Sequence, residues 1–284
     1  MIQFMNIAAE DREDSAITQE IKIRVWWTLF MADNWCCSSL GLPRQMKDFP
    51  RPARLPLDER AFCALTPHQP PSVLESCGNP GLWAHMLTLV EFFAPIQELN
   101  RRIVQDKDLQ QSQIEQDTSR LAQQLEEWQE RLPAHACMSE INLLSHAGWG
   151  TGGPFLALHL GFHHYATLLY YQYLDTQFVP TAQSLLFAAR CKYHARSYSS
   201  LLARGRQQAR CEAVYPTVGQ MTIVSSSVLL HTLLFGAEDE LVQSRHCLQT
   251  NFEALLDLAQ YWPCVEIMVL PLLFPSINLG EYFH

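Results

Sequence analysis

The sequence is poor in charge, poorer still in basic residues, and has no C-x-x-C pair of cysteines. Each shortage excludes something. Only 17% of the 284 residues are charged, against about 25% in an average domain, while 48% are hydrophobic. Such a chain buries a large core and is not mainly disordered. Twenty Lys and Arg face 29 Asp and Glu, a net charge of −9. Nucleic-acid affinity comes largely from cations that neutralise phosphates, so direct contact with nucleic acid is not expected of this chain. The nine cysteines (Cys36, Cys37, Cys63, Cys77, Cys137, Cys191, Cys211, Cys247 and Cys264) are odd in number and form no C-x-x-C. That argues against a disulfide framework and against a zinc site built from cysteine pairs. Reduced thiols in an intracellular compartment are the expectation.

A basic start and a long apolar run are both missing from "MIQFMNIAAEDREDS", so it does not read as a signal peptide. "MTIVSSSVLLHTLLFG" falls short of the roughly 20 apolar residues a membrane span needs. It and "GPFLALHLGFHHYATLLYYQYL" read as buried helices of a soluble protein, with no membrane partner. Strand-like alternation, internal repeats and low-complexity runs are absent.

What is present is helical periodicity. Ser15 to Leu40 reads as one long helix, with Ile17, Ile21, Val25 and Leu29 on one stripe and Ile23, Trp27 and Met31 on the next. Apolar residues on so many sides predict burial against several partners. Gly41 is expected to stop this helix and Pro43 to prevent its resumption. Pro50, Pro52 and Pro56 then mark an extended, irregular connector. A helix is expected from near Pro80 through "LWAHMLTLVEFFAPIQELNRRIV", kinked at Pro95. "KDLQQSQIEQDTSRLAQQLEEWQERLP" reads as an amphipathic helix with Ile114, Leu121, Leu125, Trp128 and Leu132 on its apolar side. Residues 133–153 read as a loop, followed by a buried helix from Pro154 to Asp175 and a further helix capped by Thr181. "PTVGQMTIVSSSVLLHTLLFG" and "AEDELVQSRHCLQTNFEALLDLAQYWP" complete the set, and the tail from Cys264 is ambiguous. The expected fold is all-α: a multi-helix domain with long buried helices and proline-rich connectors. Residues 1–284 read as one domain, incomplete at its N-terminus, with an acidic lead-in (1–14), a first long helix (15–40), a connector (41–80) and a helical body (81–284).

The candidate chemistry is sparse. "GWGTGGP" is Gly-rich but lacks the following Lys and the preceding strand of a phosphate loop, and reads as a flexible loop before a helix. His159 and His163, four apart, share a helix face at metal-ligand spacing, yet no Glu stands beside the first and no third ligand is evident. His164 points elsewhere, and core or interface histidines are the expectation. Cys191 with His194, and His246 with Cys247, form no better constellation. Cys36 and Cys37 project about 100° apart on a helix and read as small core residues. Asp33 lies among apolar neighbours, and a buried carboxylate needs partners. A general base would need a second acid or histidine, and none is near in sequence. A structural Asp hydrogen-bonded to the connector beginning at Gly41 is the expectation, with Arg44 as a further partner. "RLAQQLEEWQERLP" reads equally as a partner-binding helix or as a solvent-facing helix packed on the core.

"EIKIRVWWTLFMADNWCCSSLGLPRQMKDFPRPARLP" resembles the central signature of the fungal-specific transcription factor domain, the middle homology region of fungal zinc-cluster regulators. The matching residues are Arg24, Trp26, Trp27, Phe30, Asp33, Gly41, Pro43, Leu55 and Pro56. Leu42 stands where that family often has Arg, with Arg44 close by. "LEEWQERLP", "LALHLGFHHYATLLYYQYL", "ARCKYHARSYSSLL" and "NFEALLDLAQYWP" are similar, more loosely, to later helices of the family. Its six-cysteine DNA-binding module is not in the sequence. The resemblance implies an all-α nuclear regulatory domain controlling pathway genes, such as a catabolic or secondary-metabolite cluster. It implies no catalysis, cofactor or bound metal. The implied partners are the transcription machinery or a zinc-cluster relative, together with a small-molecule effector. Arg24, Trp26, Trp27, Phe30, Asp33, Gly41, Pro43 and Arg44 are then structural signature residues. Two other readings stand beside it: an interaction protein that pairs with a full-length relative, and a helical enzyme using Asp33 or the His159 and His163 pair.

Overall fold

The computed structural model describes residues 14–40, 44–46, 49–76, 80–106, 108–175, 178–263 and 265, without the side chains of 36–40 and 75–76. The described residues are helical, and their one β contact is an isolated bridge between Leu57 and Pro80. The chain folds as two compact units, 1–94 and 95–284.

The first unit is organised by α1, Ala16–Leu40. Ser15 opens it, its hydroxyl accepting from the Thr18 amide at 3.3 Å and its carbonyl from Gln19 N at 3.0 Å. A helix leaves its first amides unpaired, and the Ala16 amide is taken by the Gln69 carbonyl at 2.9 Å. Only one of the two apolar stripes is buried. Ile21 and Val25 are exposed, whereas Ile23, Trp26, Trp27, Phe30 and Met31 pack with Met46, Leu87 and Val90 in one core. Trp26 and Trp27 thus share a cluster, their ring centroids 4.8 Å apart and edge to face, and Phe30 stacks on Trp26 at 5.6 Å. The expected stop at Gly41 and Pro43, with Leu42 between them, falls outside the described residues.

The connector is less irregular than its prolines suggest. Asp58 caps a one-turn helix, α2 (Glu59–Cys63), by accepting from Arg60 N, and α3 (Val73–Ser76) follows. Leu57, Leu65 and Leu74 gather around Ala16 in a second small core. α4 (Leu82–Val90) supplies Leu87 and Val90 to the first core. The long helix expected across Pro95 is two helices. The chain breaks at Glu91–Phe92, and α5 runs from Phe93 to Gln105. Pro95 sits in the first turn of α5, where a missing N–H removes no intrahelical bond, so it helps start a helix instead of kinking one.

The second unit contains α6 (Gln111–Glu130), a 3₁₀ turn at Ala134–Ala136, α7 (Glu140–Trp149), α8 (Gly152–Tyr170) with a 3₁₀ extension Tyr171–Leu174, α9 (Ala182–Gln207), α10 (Pro216–Phe235) and α11 (Glu238–Ala259). α8 is the axis of this unit, buried along nearly its whole length and packed on α6, α7, α9 and α10. α6 presents Ile114, Leu121 and Leu125 to the core, as its periodicity predicts. Residues 133–153 are not a loop. Ser139 caps α7 by accepting from Asn142 N at 3.1 Å, and Gly150 ends it in the left-handed region (φ 76°). Thr181 caps α9 with a reciprocal Thr181–Ser184 box. By length and composition α10 could cross a membrane, yet half of its most apolar window is buried in this unit. Its Ser225 and Ser226 accept from the fully buried Asn251 amide at 3.2 and 3.0 Å, and its Thr222 pairs with the Tyr198 hydroxyl at 3.0 Å. Those polar contacts are those of a core helix.

Candidate functional site

In the first unit, the signature residues build a seam between α1 and the connector. Glu20, fully buried, is its hub. Its Oε1 accepts from Arg24 Nε at 2.9 Å and from the Leu57 amide at 2.9 Å, and its Oε2 accepts from Arg54 at 2.7 Å. Arg24 extends the network, donating to Glu59 Oε1 and to the Leu57 carbonyl, each at 2.8 Å, and covering the Phe62 ring at 4.1 Å. One carboxylate inside an apolar core thereby meets two guanidiniums and an amide, as a buried charge requires. The Trp27 indole donates to the Arg54 carbonyl at 3.2 Å, while the Trp26 N–H is buried without a partner.

One helix end further on, Asp33 is half-buried. Its two carboxylate oxygens accept from the Gln45 and Met46 amides at 2.9 and 3.0 Å. Arg44 donates to Asn34 Oδ1 at 3.0 Å, and Asn34 in turn donates to the Phe30 carbonyl. Asp33 thus holds returning backbone, an arrangement that orders a turn. Asp33→Ala is expected to cost about 1–2 kcal/mol, the worth of two charge-assisted bonds less solvation. The check is faster hydrogen exchange at the Gln45 and Met46 amides with the α1 helix retained. Gly41 and Pro43 lie outside the described residues, as do the Cys36 and Cys37 side chains.

Sequence reading missed Glu20, Asn34 and Arg54. Glu20 and Arg24 stand four apart, the spacing of a helix ion pair, which was the available signal. Arg54 meets Glu20 across 34 residues, and no local pattern announces that.

In the second unit the histidines divide. His159 donates to the Ala136 carbonyl at 3.0 Å, and His146 bonds the His135 carbonyl at 3.0 Å and the Thr151 hydroxyl at 2.8 Å. Both hold the 134–136 turn against α7 and α8. His163 meets His194 of α9 instead of His159, Nδ1 to Nδ1 at 2.9 Å. His164 is buried and its Nδ1 has no partner. Burial pushes His159 and His194 down to about 4 and His163 and His164 down to about 3. All four rings are therefore neutral at neutral pH. Among the described residues no group of three His, Cys, Asp or Glu is placed to hold a metal ion.

A cavity of about 280 Å³ opens beside the N-terminal part of α8, lined by Leu156, Leu202, Val218 and Leu258 with Gly205 and Ala254. Gly205 is the glycine of its wall, and two further glycines pack backbone closely next to it. A Cβ on Gly152 would stand 2.4 Å from the Arg210 carbonyl oxygen, and one on Gly153 would stand 2.7 Å from that of Glu212. The "GWGTGGP" run is thus no flexible loop. Gly150 caps α7, while Gly152 and Gly153 form a buried first turn of α8, against which segment 210–212 packs. Arg210 takes φ 65° to make that approach. At the mouth, Arg206 donates to Asp257 at 2.7 Å and to Glu253 at 2.6 Å, and Glu212 adds a third carboxylate. The Trp262 indole bonds the Val214 carbonyl at 2.8 Å, joining the segment after α11 to the 212–214 wall.

Comparison with known proteins places the signature seam. Residues 7–130 match the family model described as the fungal specific transcription factor domain. The match spans the seam, α4, α5 and α6 and ends before α7, and no zinc-cluster domain is detected. The looser resemblances after residue 130 lie outside it. No curated protein and no solved structure matches the chain. The residue 7–130 match covers the Arg24–Trp26–Trp27–Asp33 helix and the connector it clasps, and over this stretch the chain is similar to the fungal specific transcription factor domain.

Proposed function

We propose that the chain is the regulatory part of a nuclear transcription regulator that controls pathway genes, such as those of a catabolic or secondary-metabolite cluster. The family match over residues 7–130 carries this reading. The seam supports it, because its charged and aromatic residues are spent on holding a helix to a connector. Asp33, the one acid of the signature helix that looked catalytic, holds two backbone amides. The net charge of −9 suits contact with proteins of the transcription machinery more than with DNA.

In this reading an effector enters the cavity beside α8 and biases a pre-existing equilibrium of the helical body. The lining is aliphatic, and the charged residues that border it are Glu212 and Asp257 against Arg206. That excess of negative charge favours a small apolar ligand that is neutral or carries an ammonium group over an anion.

The test is a reporter assay with the full chain fused to a heterologous DNA-binding domain, with and without candidate metabolites. A reporter that never responds overturns a self-sufficient regulator. Ala254→Phe, which fills the cavity from α11, is expected to abolish any metabolite response by tenfold or more while leaving the helical circular dichroism spectrum intact. A response unchanged in that variant removes the cavity from the mechanism.

A second reading, a partner that pairs with a full-length relative, is favoured by α7. Ile141, Leu144 and Trp149 are all exposed there on one broad helix face. Co-purification with a zinc-cluster regulator, weakened by Ile141→Asp, is its expected result.

A further inference from the structure

We propose that His163 and His194 form a two-histidine site for a borderline divalent transition-metal ion, copper(II), zinc(II) or nickel(II), clamped between α8 and α9. The two residues sit on helices that pack along their length, and their Nδ1 atoms face each other at 2.9 Å. Two nitrogens each about 2.0–2.1 Å from one ion, at the near-90° angle of a tetragonal copper(II) or nickel(II) site, stand about 2.9 Å apart, and the tetrahedral angle of zinc widens that to about 3.3 Å. The present hydrogen bond therefore already holds the span of two cis ligands. A modest turn of each ring aims both lone pairs at one point.

The protonation state suits the exchange. With one neutral ring donating to the other, one Nδ1 carries hydrogen and the other a lone pair. Metal binding needs both lone pairs, so the donor ring moves its proton from Nδ1 to Nε2. No net proton is released. Burial already holds both rings neutral, so the ion displaces no imidazolium charge.

The surroundings set the ion class and the remaining ligands. Imidazole nitrogen suits copper, zinc and nickel and does not suit magnesium or calcium. Tyr170, Phe162 and the exposed Tyr193 lie around the pair, with Tyr193 centred 6.4 Å from His163 and 5.1 Å from His194. Both histidines are only partly buried, so an ion reaches them from the Tyr193 side and water completes its shell. Arg190 is the cation facing His194, and it is engaged by Glu126 at 2.7 Å and the Tyr170 hydroxyl at 3.1 Å. His159 lies one turn from His163 but is committed to the Ala136 carbonyl. This leaves a two-ligand site, and its affinity rests on the rigidity of the two helices.

The experiment is titration of the full chain with copper(II), zinc(II) or nickel(II) at pH 7.5, followed by calorimetry and thermal unfolding. One equivalent is expected to bind, raising the unfolding midpoint by about 5 °C at a hundredfold excess over the dissociation constant. H163Q and H194Q should each lose that equivalent and the midpoint shift, while H135Q at the surface keeps both. Nitrogen-15 spectra should show both Nδ1 resonances moving to metal-bound positions. An unaltered Nδ1 pair under saturating metal, or binding that survives both H163Q and H194Q, overturns the site. Should H163Q fail to fold by circular dichroism, H194N carries the same comparison.

Discussion

Glu20→Ala is expected to destabilise the first unit by about 3–5 kcal/mol, the cost of breaking a buried ion network by removing one partner. The loss is not that of one salt bridge. With the carboxylate gone, Arg24 and Arg54 lose their shared acceptor, and the Leu57 amide is left buried and unpaired. Arg54 has little reserve, because one of its terminal nitrogens is already buried without a partner. Urea unfolding of the full chain reports the global effect, and hydrogen exchange at Leu57 reports the local one. Glu20→Gln, which keeps one acceptor and no charge, should fall between wild type and alanine. A cost below about 1 kcal/mol for Glu20→Ala would show that the seam is held by the tryptophan core alone, an exposed-pair value. Because the seam lies in the family-matched region, the same variant should also lose reporter output at unchanged expression.

The second large effect is acid sensitivity, and its sign follows from the buried histidines. His159, His163, His164 and His194 are pushed well below the usual 6.5, to between about 3 and about 4. Above pH 6.5 these rings are neutral in both folded and unfolded chains and contribute no pH dependence. As pH falls below 6.5 the unfolded chain takes up protons that the folded one refuses, so stability falls until the folded values are reached. By pH 5 each fully buried ring forfeits about 2 kcal/mol. His159 and His164 bear that in full, while His163 and His194, partly open to solvent, bear less. Against a typical total of about 5–15 kcal/mol, unfolding midpoints should drop steeply between pH 6.5 and pH 5. That interval lies above the range where carboxylates titrate. His164→Phe, which removes an unpartnered nitrogen from the core, should flatten the slope by about a quarter or more. A midpoint that stays level over that interval would falsify the buried neutral state of these rings.

Much of the fold was legible because helices are local. The four-residue spacing in α1, the Thr181 cap and the amphipathic run of α6 each appear where the pattern puts them. The misreadings fell where a local rule had two outcomes. A proline inside an apolar run either kinks a helix or begins one, and Pro95 lies in the first turn of α5. A glycine cluster is either loose loop or close packing, and Gly152 and Gly153 are packed against segment 210–212. Ser139 followed by Glu140 is an N-terminal signal for α7 that the proline and glycine on either side obscured.

The candidate sites divide in the same way. Arg24, the tryptophan pair and Asp33 are visible as a motif because their spacing lies within one helix. What they bind is settled across 12 to 37 residues: Asp33 on the Gln45 and Met46 amides, Glu20 on Arg54 and Leu57. His163 illustrates the limit best. Helical spacing pairs it with His159, and the fold pairs it with His194. Sequence by itself determined the all-helical class, the signature helix and the family resemblance over residues 7–130, because periodicity and motif spacing are properties of consecutive residues. Tertiary structure alone decided which of two apolar stripes on α1 is buried, which charges share Glu20, and which two histidines meet. Those choices depend on what packs against each helix face, and the partners come from distant parts of the chain.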